Sequence, residues 1–264
     1  MKHILIGDEH EGLLSTLEVI LKHWGYRVFA TPRSSQVQAF LTETAPSLVI
    51  IGSQMLAASA DELRDTLEAW CNNGEQPILV LAEGALSEQP QLPYETLNVP
   101  IDIFALFELI QRHVEKIPRK NLRLAINLPG VVHRGERSHL AEVLSLSMEG
   151  LFIKTSFRLQ AGERLRVVIP LLGMKKELEI DSQVLYFIHP GPENNYMQGV
   201  GIAFTSLDEE NLKDLQNFLE SRFFGEISDS KHGPTGLAPE QLDNRVCPVT
   251  LKVVPPSQRR QQLR

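Results

Sequence analysis

Hydrophobic and polar residues alternate in two different ways along this chain. Up to about residue 116, short apolar runs are separated by stretches in which apolar residues recur every three or four positions. Such runs are typical of buried strands, and the wider spacing is typical of amphipathic helices. The pattern predicts strands at residues 3–6, 27–30, 48–51, 78–81 and 95–99, and helices at residues 11–24, 34–44, 61–72 and 102–114. Alternation of strands and helices predicts an α/β domain with a doubly wound parallel five-stranded sheet.

After residue 117 the alternation has a period of two, which is the pattern of strands with one buried face. Turn signals, including Pro129-Gly130, separate the apolar stretches. We predict six strands, at residues 122–127, 139–146, 150–155, 164–169, 177–188 and 199–205. Six short strands at this spacing favour an all-β, six-stranded barrel, followed by an amphipathic C-terminal helix at residues 208–223.

These patterns divide the chain into three parts. The 264 residues are enough for about two domains with complete cores. We expect the α/β domain to occupy residues 1–116 and the barrel domain residues 117–225. Residues 226–264 are rich in glycine, proline, aspartate, serine and glutamine, and we expect them to form a flexible C-terminal extension.

Two polar clusters in the second domain have the composition of a binding site. Arg119 and Arg123 follow a proline that favours extended backbone, so they lie roughly 13 Å apart along the chain at about 3.3 Å per residue. Each guanidinium group can hold a phosphate or a guanine edge with two hydrogen bonds, or stack on a base. Ser145 and Ser147 offer hydroxyl groups, and Gly150 allows a close backbone approach. The residues predict a site for an anionic ligand with planar groups.

The same residues resemble the signature of PilZ domains, which are receptors for the bacterial second messenger cyclic di-GMP. That signature is Arg-x-x-x-Arg, followed some twenty residues later by Asp/Asn-x-Ser-x-x-Gly. The chain matches it at Arg119, Arg123, Ser147 and Gly150, and differs at Ser145, where the family has an acid or amide. The resemblance implies that the arginines contact guanine and phosphate, that the serines bind the guanine edge, and that Gly150 gives backbone clearance.

The first domain resembles the receiver domain of bacterial response regulators. Asp8 and Glu9 match the acidic pair that binds magnesium in that family, although an acidic turn exposed to water is the better explanation for them. The position of the phosphoacceptor aspartate is Gly52, the hydroxyl position is Ala82 and the lysine position is Val99. Without the carboxylate nucleophile and the lysine there is no phosphoryl transfer. The resemblance therefore implies a pseudo-receiver that contacts other proteins, including a second copy in a homodimer.

Charge and composition narrow the class of protein further. The net charge of −7 argues against a nucleic-acid polymer or a membrane surface as partner. Residues 1–111 contain 5 basic and 15 acidic residues, whereas residues 112–137 contain 7 basic and 2 acidic residues, so positive charge is concentrated beside the arginines. Cys71 and Cys247 have no metal-site spacing. The start of the sequence is acidic rather than typical of a signal peptide, and we expect a cytoplasmic protein.

Two functions remain open from the sequence. The first is a non-enzymatic receptor or adaptor in which cyclic di-GMP binds beside the pseudo-receiver and reorients it, with an unknown protein partner, no metal and no cofactor. The second is a scaffold in which both domains have lost their small-molecule chemistry and act only as binding surfaces. Catalysis is not expected, because the sequence contains no carboxylate pair, triad or metal cluster at a recognisable spacing.

Overall fold

The structure is a computed structural model that describes residues 2–58, 61–74, 77–84, 92–192, 196, 198–229 and 241–246. The chain divides into two compact units. The first unit contains Met1–Lys120 together with the chain from Phe224 onward, and the second contains Asn121–Phe223. The domain limits expected from the sequence, after residues 116 and 225, stay a prediction.

The first unit is built on a parallel sheet of five strands in the order β2-β1-β3-β4-β5. Its strands are β1 (His3–Gly7), β2 (Arg27–Thr31), β3 (Leu48–Gly52), β4 (Ile78–Ala82) and β5 (Tyr94–Asn98). Its helices are α1 (Glu11–His23), α2 (Ser34–Thr44), α3 (Ser53–Ala58), α4 (Asp61–Gly74) and α5 (Ile103–Val114). The central strands are buried throughout, as expected for a sheet with helices on both faces.

The second unit is a closed barrel of six antiparallel strands in the order β10-β11-β8-β7-β6-β9. The strands are β6 (Arg123–Arg134), β7 (Arg137–Ser147), β8 (Gly150–Lys154), β9 (Arg164–Leu171), β10 (Lys176–Ile188) and β11 (Gly199–Ser206). Alternate residues point inward and form the core, among them Val132, Val143, Ile153, Val167 and Leu178. Closure removes the free edges that an open sheet would expose.

One long helix, α6 (Glu209–Asp229), follows the barrel. Its apolar residues Leu215, Phe218 and Leu219 are buried. At its start, Lys176 of β10 forms ion pairs with Glu210, at 2.8 Å, and with Asp214. These bonds raise the pKa of the Lys176 ammonium group, with Asp214 as the main cause.

A short C-terminal segment, residues 241–246, packs against the first unit. The backbone N–H of Asp243 donates to the hydroxyl of Thr16 on α1 at 2.9 Å, and the N–H of Ile101 donates to the carbonyl of Arg245. Leu242 and Val246 are buried. These residues therefore belong to the folded part of the first unit, even though 227 positions separate Asp243 from its partner Thr16.

The predicted fold class is confirmed, with three differences in detail. The Pro129-Gly130 turn was wrong, because both residues lie inside β6. A register shift between Ala125 and Leu128 precedes them, and proline is tolerated in strands at such irregularities. The helix α3, which begins directly after β3, was not predicted. The final helix continues to Asp229, so residues 226–229 are helical rather than part of an extension. The flexibility of most of the rest of the tail is a prediction outside the described residues.

In the part of the chain that the structure describes, no helix is long and apolar enough to cross a membrane.

Candidate functional site

Strands β6 and β7 place three of the expected site residues on one face of the barrel. Arg123 is directly opposite Ser147 in the antiparallel pair, and Ala125 is opposite Ser145. Leu124, which follows Arg123, is buried in the barrel. Because neighbouring residues of a strand point to opposite faces, Arg123 points outward, and residues directly opposite have Cβ atoms about 5 Å apart. Arg123 and the two serines therefore lie on the same side of the strand pair, where Arg123 is exposed, Ser145 is half-buried and Ser147 is buried.

The two expected ligand-binding arginines have free side chains. Arg119 and Arg123 are exposed, and neither guanidinium group has a hydrogen bond or ion pair with any described residue. Some other arginines are paired with acids: Arg112 with Glu95, and Arg166 with Asp181, both at 3.0 Å. A guanidinium group whose donors are not already taken can bind a planar anion with two hydrogen bonds.

The two serines differ in their availability. Ser145 is half-buried, and its hydroxyl has no hydrogen-bond partner among the described residues. Ser147 is 2% exposed, and its hydroxyl donates to the carbonyl of Gly150 at 2.9 Å. The hydroxyl of Ser147 thus stabilises the tight turn between β7 and β8. Ser145 is the serine of the pair that can reach a ligand directly.

Gly150 is required by the barrel itself. It is paired with Ser147 on one side and with Ala203 of β11 on the other. A Cβ atom at this position would collide with the carbonyl oxygen of Ile202 and would lie 3.3 Å from the Cα of Ala203. The backbone clearance expected at Gly150 is therefore used by a neighbouring strand of the barrel.

Arg119 lies in the first unit, four residues before Arg123. Its backbone N–H donates to the side-chain Oε1 of Gln111 on α5 at 3.0 Å. This contact was not predicted from the sequence. The available signal was the position of Gln111 on the buried stripe of α5, next to Ile110 and one turn before Val114, where an apolar residue is expected.

An open polar groove of about 850 Å³ lies elsewhere on the barrel, lined among others by His133, Arg164, Arg166 and Asp181. None of the expected site residues lines it. Arg166 is already bound to Glu179 and Asp181 there. The described residues contain no group of three or more histidine, cysteine, aspartate or glutamate side chains that could hold a metal ion.

In the first unit, Asp8 occupies the space at the expected phosphoacceptor position. Asp8 is buried, and its Oδ1 accepts a hydrogen bond from the backbone N–H of His10 at 2.8 Å and lies 2.9 Å from the Nδ1 of that histidine. A Cβ atom on Gly52 would collide with the Oδ2 of Asp8. Glycine at this position therefore leaves room for the Asp8 carboxylate.

This crowding makes a prediction for an attempt to restore the acceptor. We expect Gly52→Asp to lower the free energy of unfolding by about 2 kcal/mol, because it forces two carboxylates together in a packed site. We also expect no phosphorylation by acetyl phosphate and magnesium. Intact-protein mass and thermal unfolding measure both effects. The control is Ser53→Asp, which adds a carboxylate at the start of α3, where it is tolerated. A stable Gly52→Asp protein that gains a phosphoryl group would contradict this prediction.

Residues 117–221 match the family model of the PilZ domain. No curated protein sequence matches the chain significantly. Among solved structures, the motility inhibitor MotI/DgrA of Bacillus subtilis is 16% identical over 40% of this chain and 51% of its own, with a TM-score of 0.35. YcgR of Escherichia coli, solved in complex with c-di-GMP, is 15% identical over 39% of this chain and 45% of its own, with a TM-score of 0.34.

The chain therefore spans about half the length of these two proteins. The chemotaxis protein CheY4 of Vibrio cholerae is 18% identical over 43% of this chain and 99% of its own, with a TM-score of 0.37. The strand order 2-1-3-4-5 of the first unit is that of the flavodoxin-like doubly wound sheets, which include receivers. Residues 117–221 of this chain thus match the PilZ domain model, and the domain that precedes them has the strand order of a receiver.

Proposed function

We propose that this protein is a non-enzymatic receptor for cyclic di-GMP in bacterial second-messenger signalling. Arg119 and Arg123 bind the guanine and phosphate groups of the ligand, and Ser145 binds the guanine edge. Ser147 and Gly150 shape the turn that carries this surface. The protein needs no metal or other cofactor for this role, and we place it in the cytoplasm.

The free guanidinium group of Arg123 is the observation that carries this proposal. It lies on the strand directly opposite the serine-bearing strand, within the residues that match the PilZ domain. An exposed arginine with no described partner adds less than about 0.5 kcal/mol to the stability of the barrel. A binding role explains why it stands, with Arg119, at the spacing of the family signature.

The receiver-like domain acts in this proposal as an output surface. Gly52, Ala82 and Val99 lack the groups that phosphoryl transfer requires, and Asp8 fills the acceptor position. We propose that ligand binding reorients this domain, which then contacts a protein partner or a second copy of the chain. A small-angle scattering profile that does not change at saturating ligand would contradict the reorientation.

Calorimetric titration of the purified protein with cyclic di-GMP tests the proposed function. We expect saturable binding with a micromolar or lower dissociation constant, and no binding of GTP. The GTP control separates recognition of the cyclic dinucleotide from general attraction of phosphate to a basic segment. Absence of heat, together with an unchanged unfolding temperature at high ligand concentration, would overturn the proposal.

The scaffold function is the second candidate. The engagement of the Ser147 hydroxyl with Gly150 favours it, because one hydroxyl of the family signature is not facing a ligand. A negative titration would leave this function standing, and the receiver-like domain would be the surface on which to search for a partner.

A further inference from the structure

A network of hydrogen bonds joins the backbone of Arg119 to the interior of the first unit. The amide side chain of Gln111 is almost completely buried, and its Oε1 accepts the hydrogen bond from the Arg119 N–H. Its Nε2 donates to the hydroxyl of Tyr26 at 3.0 Å. The Tyr26 hydroxyl in turn donates to Oε1 of Glu115 at 3.0 Å. Both polar atoms of the buried amide thus have a partner.

The far end of the network is fixed by charge. Glu115 forms an ion pair with Lys2 at 2.7 Å, and the same ammonium group donates to the carbonyl of Val114. The bond from Lys2 is the main reason why the pKa of the Glu115 carboxyl is lower than its usual value. Burial, followed by the bond to Glu115, raises the pKa of the Tyr26 phenol, which therefore keeps its proton.

The segment that this network holds is otherwise exposed. Residues 116–120, which we call the arginine arm, are exposed at every position, and Ile117 is 88% exposed. Pro118 has no N–H to donate, so the first N–H after it is that of Arg119. An exposed segment loses conformational entropy when a ligand orders it, and a bond that restricts it in advance reduces that loss.

We propose that Gln111 is a positioning residue for ligand binding: its hydrogen bond restricts the arginine arm at Arg119 before the ligand binds, and so raises the affinity although Gln111 itself does not touch the ligand. This inference rests on the proposed function. It assigns a role in binding to one buried amide side chain of α5, in the first unit.

The test compares Gln111→Met with Tyr26→Phe in the full-length protein. Methionine keeps the length of the side chain but cannot accept the Arg119 hydrogen bond, and the Tyr26 hydroxyl keeps its bond to Glu115. Tyr26→Phe leaves the bond from Arg119 to Gln111 intact but deprives the buried Nε2 of Gln111 of its acceptor. We therefore expect it to lower the free energy of unfolding at least as much as Gln111→Met does. We expect Gln111→Met to bind cyclic di-GMP about tenfold more weakly, equivalent to about 1.4 kcal/mol, and Tyr26→Phe to bind within about threefold of the original protein.

A conservative variant and a measurement without ligand complete the design. Gln111→Glu retains an acceptor for Arg119 and should restore most of the affinity. Amide hydrogen exchange should show protection at Arg119 in the original protein and in Tyr26→Phe, and its loss in Gln111→Met. Equal binding by Gln111→Met and the original protein would overturn the proposal. It would also be overturned if Gln111→Met and Tyr26→Phe both lost affinity in proportion to their loss of stability.

Failure of the two proposals can be told apart. If the original protein does not bind cyclic di-GMP, the proposed function fails, and the role of Gln111 in binding fails with it. The exchange measurement still decides whether Gln111 holds the arginine arm. If the original protein binds and Arg119 shows no protection, only the positioning role fails.

Discussion

Arg123→Ala weakens the binding of cyclic di-GMP about 50-fold or more and leaves the stability of the protein unchanged. A guanidinium group that holds a guanine edge or a phosphate with two hydrogen bonds contributes about 2 to 3 kcal/mol, and each 1.4 kcal/mol is a factor of ten. Arg123 has no hydrogen bond or ion pair with the described residues, so its removal breaks no such bond among them. Surface changes of this kind alter the free energy of unfolding by less than about 0.5 kcal/mol.

The matched control for this variant is Arg137→Ala. Arg137 is exposed at the start of β7, at the opposite end of the β6–β7 pair from Arg123, and it also has no hydrogen-bond partner among the described residues. The Arg137→Ala substitution removes one positive charge from the barrel domain, as Arg123→Ala does. Calorimetric titration of both variants separates a specific contact from the effect of net charge. Equal weakening in both would show that Arg123 acts only through long-range attraction.

Gly150→Ala lowers the free energy of unfolding of the barrel by about 3 kcal/mol. The added methyl group collides with the carbonyl of Ile202, which belongs to the backbone of β11 and cannot rotate away. The strands must separate, and the hydrogen bond from Ser147 to Gly150 is lost or lengthened. We therefore expect weaker ligand binding as a secondary effect, because the turn beside Ser145 changes shape.

Denaturation with urea, followed by two probes, measures this effect. Far-ultraviolet circular dichroism reports both units, whereas fluorescence reports Trp24 and Trp70, the two tryptophans, which lie in the first unit. The control is Gly135→Ala, where a new Cβ atom meets nothing within 4 Å. Its φ of +56° costs an alanine about 1 kcal/mol. A loss in Gly150→Ala no larger than in the control would rule out the collision.

Periodicity was sufficient to predict the architecture, because burial on one or both faces leaves a direct trace in the sequence. The uniformly apolar run of β3 and the alternation along β9 predicted a buried parallel strand and a barrel strand. The limits of β6 were predicted less well. Pro129-Gly130 is a strong turn signal, but the register shift before it allows the strand to continue to Arg134.

The site residues were identified by type and spacing, but their bonds could not be predicted. Nothing in the sequence distinguishes Ser145, whose hydroxyl has no described partner, from Ser147, whose hydroxyl binds Gly150. That difference depends on the geometry of one turn. The collision between Asp8 and a side chain at position 52 likewise depends on the pairing of β1 with β3, which brings the ends of two strands together.

The packing of residues 241–246 against α1 has a consequence for biosynthesis. The bond between Thr16 and Asp243 joins positions 227 residues apart, so the chain that forms the barrel is synthesised between the two partners. While the ribosome is still adding that chain, the surface that later receives Leu242 and Val246 is exposed to water. Contacts between such distant positions form late, since closing a long loop costs more entropy than forming local helices. The packing of the first unit is therefore completed only after residues 241–246 have been synthesised.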